Sequence, residues 1–359
     1  MVNLPNGYNS LTTFVRKIIL KSITKPLCDN RETHHVTLTL PIVATVLAIG
    51  TGLAHAQSSD SNTNNAVPAR AATLATSQAI TNVIVQNPFS GSGAFRFRFG
   101  EKSNPHEGFG MAAGDGGNWS IWATPVVSTF KNNIAPYTST GKVALALAGI
   151  EYNHNDVMIT GVSLALDSTN SDTNYNGGTY KSTGTTLSPY LVYQINNAWM
   201  TDWSLGFGSS KPTTNSSLYG TGNTSSDRFF AAAGLSNRTE LGRSFVLSPR
   251  ISYTYYRDYL AGYTSSNNTV NNPLTSYLYQ TKLGATLAYE KPGFSPFITV
   301  SQIFNNQTYS IGGQTPSVYA STYQAITGIN ISKGMFYGTA AYQMERDTSQ
   351  FRIYGGIRF

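Results

Sequence analysis

The stretch FRIYGGIRF (Phe351–Phe359) decides the reading of this chain. Phe351, Ile353, Gly355, Ile357 and Phe359 are apolar or small, and Arg352, Tyr354 and Arg358 fall between them. That alternation is the period of a β-strand with one greasy face and one polar face. Chain ends fray into water unless a sheet ties them down. The sequence stops on an aromatic ring inside the pattern, so the expectation is a structural last strand that closes a barrel against the first.

The same alternation recurs upstream. Leu283, Ala285, Leu287 and Tyr289 alternate with Lys282, Gly284, Thr286, Ala288 and Glu290. Trp203, Leu205 and Phe207 alternate with Asp202, Ser204 and Gly206. Ile251, Tyr253 and Tyr255 alternate with Ser252 and Thr254. Twelve strand-like runs lie between residue 119 and the end. Most are ~9–11 residues, the length a tilted strand needs to cross a bilayer. A soluble sandwich would bury the apolar face against a second sheet, so the connections must discriminate. Residues 168–185, 209–227 and 305–320 read as long loops rich in Ser, Thr, Asn and Gly. Residues 154–155, 196–197, 291–293 and 332–334 read as tight turns. Long loops at one end and tight turns at the other are the signature of an outer-membrane barrel.

The expected fold is therefore all-β, a 12-stranded antiparallel transmembrane β-barrel over 118–359, in the outer membrane of a Gram-negative cell. Its apolar faces meet lipid and its small or polar faces meet the lumen. Tyr152, Tyr193, Trp199, Tyr289, Phe297 and Phe336 fall near the tight-turn ends and are read as an interfacial aromatic girdle. The alternation assigns the charges Asp202, Arg250, Lys282, Glu290, Arg352 and Arg358 to the lumen. There they would bias ion flow, grip a plug or pair with one another. Ser-Pro recurs in LSPYLVY (187–193), LSPRISY (247–253) and FSPFITV (294–300), read as strand starts because proline cannot donate to a ladder.

Composition agrees. Only 11% of the 359 residues are charged, against about 25% in an average soluble domain. Tyr and Phe number 22 and 17, yet the mean hydropathy is only −0.19, too low for a bundle of membrane helices. Val36–Leu53 is a mostly apolar run preceded by Arg16, Lys17, Lys21, Lys25 and Arg31. Ala54-His55-Ala56 follows as an A-x-A cleavage site, so residues 1–56 read as a signal peptide with a long basic region. Cleavage there removes five of the 24 Lys/Arg and two of the 17 Asp/Glu, which lowers the net charge from +7 to +4. The basic pI is then partly a presequence effect, and no nucleic-acid partner is expected. The single cysteine, Cys28, leaves with it, so no disulfide is expected.

Residues 57–117 read as a linker with one candidate helix, Ala69–Gln86, whose Leu74, Ile80, Val83 and Ile84 line one face. Phe95–Phe99 (FRFRF) alternates like a strand, but a thirteenth strand would break the even count. A linker crossing the lumen is the preferred reading.

Together the twelve runs, the terminal Phe359 and the opening NWSIWATPVVSTF (118–130) resemble the autotransporter β-domain, the translocator of type V secretion. The resemblance covers roughly 110–359. It implies that an N-terminal segment crosses to the cell surface through the barrel, and that a short helix stays behind as a plug. It also implies outer-membrane lipid, periplasmic chaperones and the barrel assembly machinery as partners. That machinery would read Phe351, Ile353, Ile357 and Phe359 as its signal on a monomeric barrel. Some relatives cut their own chain at an Asn in the pore, for which Asn64, Asn65 and Asn82 are the candidates. About sixty residues separate Gln57 from the barrel, without β-helix repeats, so an ordinary passenger is missing. Two other readings remain open: a passive pore, and an adhesin acting through its long loops.

No chemistry is expected of the chain itself. His106 and His154 stand in no metal-binding spacing, and there is no G-x-S-x-G, P-loop or paired CxxC. No catalytic residue, metal or cofactor is expected.

Overall fold

The computed structural model describes residues 73–76, 78–82 and 119–358, apart from short gaps at 133–137, 156, 175–176, 218–219, 243, 292, 311–316 and 334. The cleavage site Ala54/Ala56, the FRFRF segment, His106, Asn64, Asn65 and Phe359 lie outside the described residues.

The strands are β1 (Trp119–Asn132), β2 (Ser139–Asn155), β3 (Met158–Thr173), β4 (Gly178–Gln194), β5 (Trp199–Ser216) and β6 (Ser226–Asn237). They continue with β7 (Phe245–Leu260), β8 (Leu274–Tyr289), β9 (Phe294–Ser310), β10 (Ser317–Lys333), β11 (Phe336–Glu345) and β12 (Thr348–Arg358). Each pairs antiparallel with its neighbours in sequence, and β12 returns to β1 from Ser120↔Arg358 to Phe130↔Thr348. The sheet thus closes as a 12-stranded barrel. Residues 351–358 belong to the strand that seals it, which leaves no unpaired edge to face lipid.

The burial pattern is inverted relative to a soluble protein. Ile121, Leu164, Leu166, Leu187, Trp203 and Val300 are exposed on the outer face. Ser163, Thr186, Ser204, Gln324, Gln343 and Gln350 are buried inside. An exposed apolar belt around a polar interior is what a bilayer solvates. At the tight-turn end Trp119 packs on Tyr152 (4.8 Å between ring centroids) and Phe245 on Tyr289 (5.0 Å). Tyr193, Trp199 and Phe336 also face outward there.

Phe297 departs from the expected girdle. Only 7% of it is exposed, and it packs inward with Ala288, Ile326 and Ala341. It sits opposite Gly328, and its ring covers that glycine. The same pairing recurs with Trp122 opposite Gly149, Tyr190 opposite Gly161 and Phe230 opposite Gly206. In each pair a ring fills the space left by a missing side chain on the next strand.

The long loops are shorter than expected. Ser168↔Thr183 through Thr173↔Gly178 are paired, so the β3–β4 connection is only residues 174–177, with Gly177 at φ 58°. β5 runs on to Ser216, and residues 220–223 fold back on its end. The β11–β12 connection, at the same end, is only Arg346–Asp347. These outer extensions lie beyond the hydrocarbon core, so apolar alternation disappears while Thr and Tyr still favour strand.

The Ser-Pro reading needs correction at one of its three sites, since Pro296 and Pro249 do fall near the starts of β9 and β7. Pro189 lies eleven residues into β4, not at its start. The register with β5 sets Pro189 opposite Leu205, and the Ser188 hydroxyl donates to the Leu205 carbonyl. Pro125 on β1 is opposite Ile353 of β12, and Thr124 Oγ1 donates to the Ile353 carbonyl at 2.6 Å. In both cases the preceding hydroxyl replaces the N–H that proline lacks. An orphan carbonyl inside a bilayer would cost several kcal/mol, on the order of a lost hydrogen bond in hydrocarbon.

Candidate functional site

The candidate site is the lumen and the helix it holds. Residues 73–76 and 78–82, which fall within the expected 69–86, are helical. Ala75, Ala79 and Ile80 are buried in one cluster with Trp122, Val143, Leu145, Tyr190, Phe230 and Tyr337 from the wall. Small residues let the helix lie close to the strands, and Ile80, with partly buried Leu74, supplies apolar bulk.

Polar contacts fix the orientation of the helix. Thr73 Oγ1 donates to Asp258 Oδ1 at 2.9 Å, two residues from the outer end of β7. Gln343 Nε2 donates to Gln78 Oε1 at 3.2 Å, and Asn82 Nδ2 donates to Gln343 Oε1 at 3.4 Å. Gln78 and Asn82 also border a cavity of about 80 Å³ with Arg250, Lys282, Phe297 and Asn330. Phe297 and Asn330 lie near the tight turns, so residue 73 points to the long-hairpin end and residue 82 to the tight-turn end.

The wall charges form pairs that bridge strands. Arg250 holds Asp202 with both nitrogens, at 2.6 and 3.0 Å, and Arg250 Nη1 also donates to Ser236 Oγ at 2.9 Å. Lys282 donates to Gln324 Oε1, and Gln324 Nε2 reaches Glu345 Oε2 at 3.3 Å. Arg352 is buried on β12, and its Nη1 and Nη2 find no hydrogen-bond partner among the described residues. Arg358 is the last residue of β12, and its side chain is outside the described set. Glu290 corrects the expectation of a pore-wall charge. It lies one residue beyond β8, where it takes both Nη atoms of Arg238 at 2.7 Å and so joins the β6–β7 and β8–β9 connections.

Sequence reasoning missed the most buried ion pair among the described residues. Arg228 Nη1 holds Asp167 Oδ2 at 2.7 Å, with side chains 2% and 0% exposed, and Arg228 Nε lies 3.9 Å from Asp258. Glu151 was missed as well. It accepts from Tyr190 Oη at 2.6 Å and Ser120 Oγ at 2.9 Å, and Trp122 Nε1 donates to the Tyr190 hydroxyl. The signal was parity: Asp167 continues the inward set of Ser163 and Ala165, and Arg228 precedes inward Phe230 by two.

A family model described as autotransporter beta-domain matches residues 121–358. The chain belongs to this family. Its barrel is an outer-membrane barrel of the Gram-negative type. Solved autotransporter barrels share the fold. The translocator domain of NalP from Neisseria meningitidis superposes with a TM-score of 0.60 at 13% identity, over 69% of this chain and 90% of that one. The β-domain of Bordetella BrkA gives 0.56 at 15% identity, over 67% and 100%. The transport unit of AIDA-I from Escherichia coli gives 0.52 at 14% identity, over 80% and 97%. No curated protein matches the chain in sequence. The lumen of this autotransporter β-domain is lined largely by polar side chains, and the helix packs inside it.

Proposed function

We propose that this autotransporter barrel carries the segment preceding its helix to the cell surface and displays it there, without a chemical step of its own. The observation that carries the reading is the direction of the helix. Thr73 docks on Asp258 at the long-hairpin end, while Asn82 borders the cavity toward the tight turns. In the proposed threading the segment before 73 would leave toward the outside, and the linker after 82 would return to Trp119 at the periplasmic rim. After cleavage at Ala54-His55-Ala56, the exported part would be the short polar stretch from Gln57 to the helix. Assembly would use periplasmic chaperones and the barrel assembly machinery, with Phe351, Ile353, Ile357 and Phe359 as the signal.

The test is surface accessibility of an epitope tag placed after Ser58, in intact cells, with a second tag near Asn215 in the β5 hairpin as insertion control. Both tags reached by antibody is the expected result. If only the hairpin tag is reached, the barrel exports nothing, and the cavity beside Lys282 makes a passive pore the next reading.

A further inference from the structure

The outer faces of β1, β2, β4, β5 and β7 carry cations where the apolar band ends. Toward the long-hairpin end Val127 of β1 gives way to Lys131, Ala144 of β2 to Lys142, Leu187 of β4 to Lys181, Phe207 of β5 to Lys211 and Tyr255 of β7 to Arg257. All five side chains are exposed on the outward parity. They form none of the ion pairs among the described residues. Lys142 is opposite Asn170, and Asn170 is opposite Lys181, so two lysines stand on one row across β3. Lys211 is opposite Thr183, diagonal to Lys181.

An aromatic ladder marks the level of the interface. Phe207 meets Phe229 at 5.3 Å, Phe229 meets Tyr255 at 6.1 Å, and Tyr255 meets Tyr279 at 5.3 Å, all on the lipid-facing side. Rings at that level sit among head groups. The cations therefore stand in the head-group layer and not in bulk water. Asp172 and Asp227 are the outward acids in the same zone, so positive charge prevails. The matching zone of β8 to β12 carries Tyr277, Tyr279, Tyr319 and Tyr323 and, among the described residues, no lysine or arginine before the Arg346 turn.

We propose that this one-sided belt binds phosphate-bearing lipid head groups of the outer leaflet. Cations beside an apolar face suit a ligand with acyl chains below and phosphates above. The ammonium groups would neutralise those phosphates, and the strands beneath would pack the chains. A belt on half of the circumference also gives the barrel a preferred lipid-bound side. The proposal depends on the outer-membrane location and not on whether any segment is exported.

The test uses the full chain, purified from outer membranes in detergent and washed free of lipid. Its unfolding midpoint is followed by the heat-dependent shift in gel mobility typical of such barrels. Three additions are compared: bisphosphorylated lipid A, the same lipid with its phosphates removed, and inorganic phosphate. The expected result is an upward shift with the phosphorylated lipid only. The shift should be lost in K142Q/K181Q/K211Q/R257Q and kept in K291Q/K333Q, whose changes lie at the tight-turn end. Should the quadruple variant fail to fold, K181Q/K211Q is read instead and should lose at least half of the shift. No shift in the parent chain overturns the proposal. So does an equal shift with dephosphorylated lipid or inorganic phosphate, or a shift that survives the substitutions.

Discussion

Thr73 of the lumen helix donates a hydrogen bond to Asp258 of β7 at 2.9 Å, across 185 residues of sequence. Asp258 in turn lies 3.9 Å from Arg228 Nε, and Arg228 grips Asp167 on β3. One polar chain thus ties the helix to three strands of the wall. Two predictions follow from its two ends.

Thr73→Val keeps the shape of the side chain and removes the donor. A hydrogen bond to a charged group contributes about 1.5–3 kcal/mol. Amide exchange in residues 73–82 should accelerate roughly 10- to 100-fold, with exchange in the strands unchanged. Unaltered exchange in the helix would show that other contacts hold it.

Arg228→Met leaves Asp167 buried without its counter-ion, which costs about 3–5 kcal/mol when one partner of a buried pair is removed. The unfolding midpoint of the folded barrel in urea should fall. Adding Asp167→Leu should recover most of the loss, because both charges are then gone. A double variant no better than Arg228→Met would point to Asp258 as the more important partner.

Gly206 lies beneath the Phe230 ring, and a Cβ built there overlaps it. Gly206→Ala should cost about 1–3 kcal/mol through overpacking. Gly355→Ala is the control, since nothing stands within 4 Å of its added Cβ. Equal midpoints for the two variants in a denaturant titration would contradict the ring-over-glycine account.

Leu164 is 46% exposed on the lipid face of β3. Leu164→Arg should destabilise the barrel in phospholipid vesicles by about 2–4 kcal/mol, the cost of arginine near the bilayer midplane. Lys142→Arg, at the rim of the same wall, should be close to neutral. Comparing refolding yields and midpoints of the two variants checks the depth assignment.

Strand parity was the most legible feature, because a bilayer enforces it on every residue of a spanning strand. Lys282 and Asp202 followed directly from alternation with Leu283 and Trp203. The reading failed where that solvent contrast ends. Beyond Leu166 and Phe207 neither face of a strand meets hydrocarbon, so paired residues such as Ser171 and Thr213 looked like loop. It failed again at Phe297, where an aromatic ring suggested the interface while the glycine opposite it offered room inside. Glu290 kept the parity of Lys282, but the strand had already ended, so parity no longer described where its carboxylate goes.

The sequence by itself determined the twelve-strand alternation, the closing role of the strand that holds the final FRIYGGIR run, the lipid-facing surface and the helix in the linker. Each is a local pattern, repeated every two or every three to four residues, that the solvent on either side imposes. Tertiary structure alone decided which charges and polar groups meet. Arg228 with Asp167, Arg238 with Glu290 and Thr73 with Asp258 are joined across 61, 52 and 185 residues. Barrel closure and strand register set those partners, and neither is encoded in any window short enough to show a period.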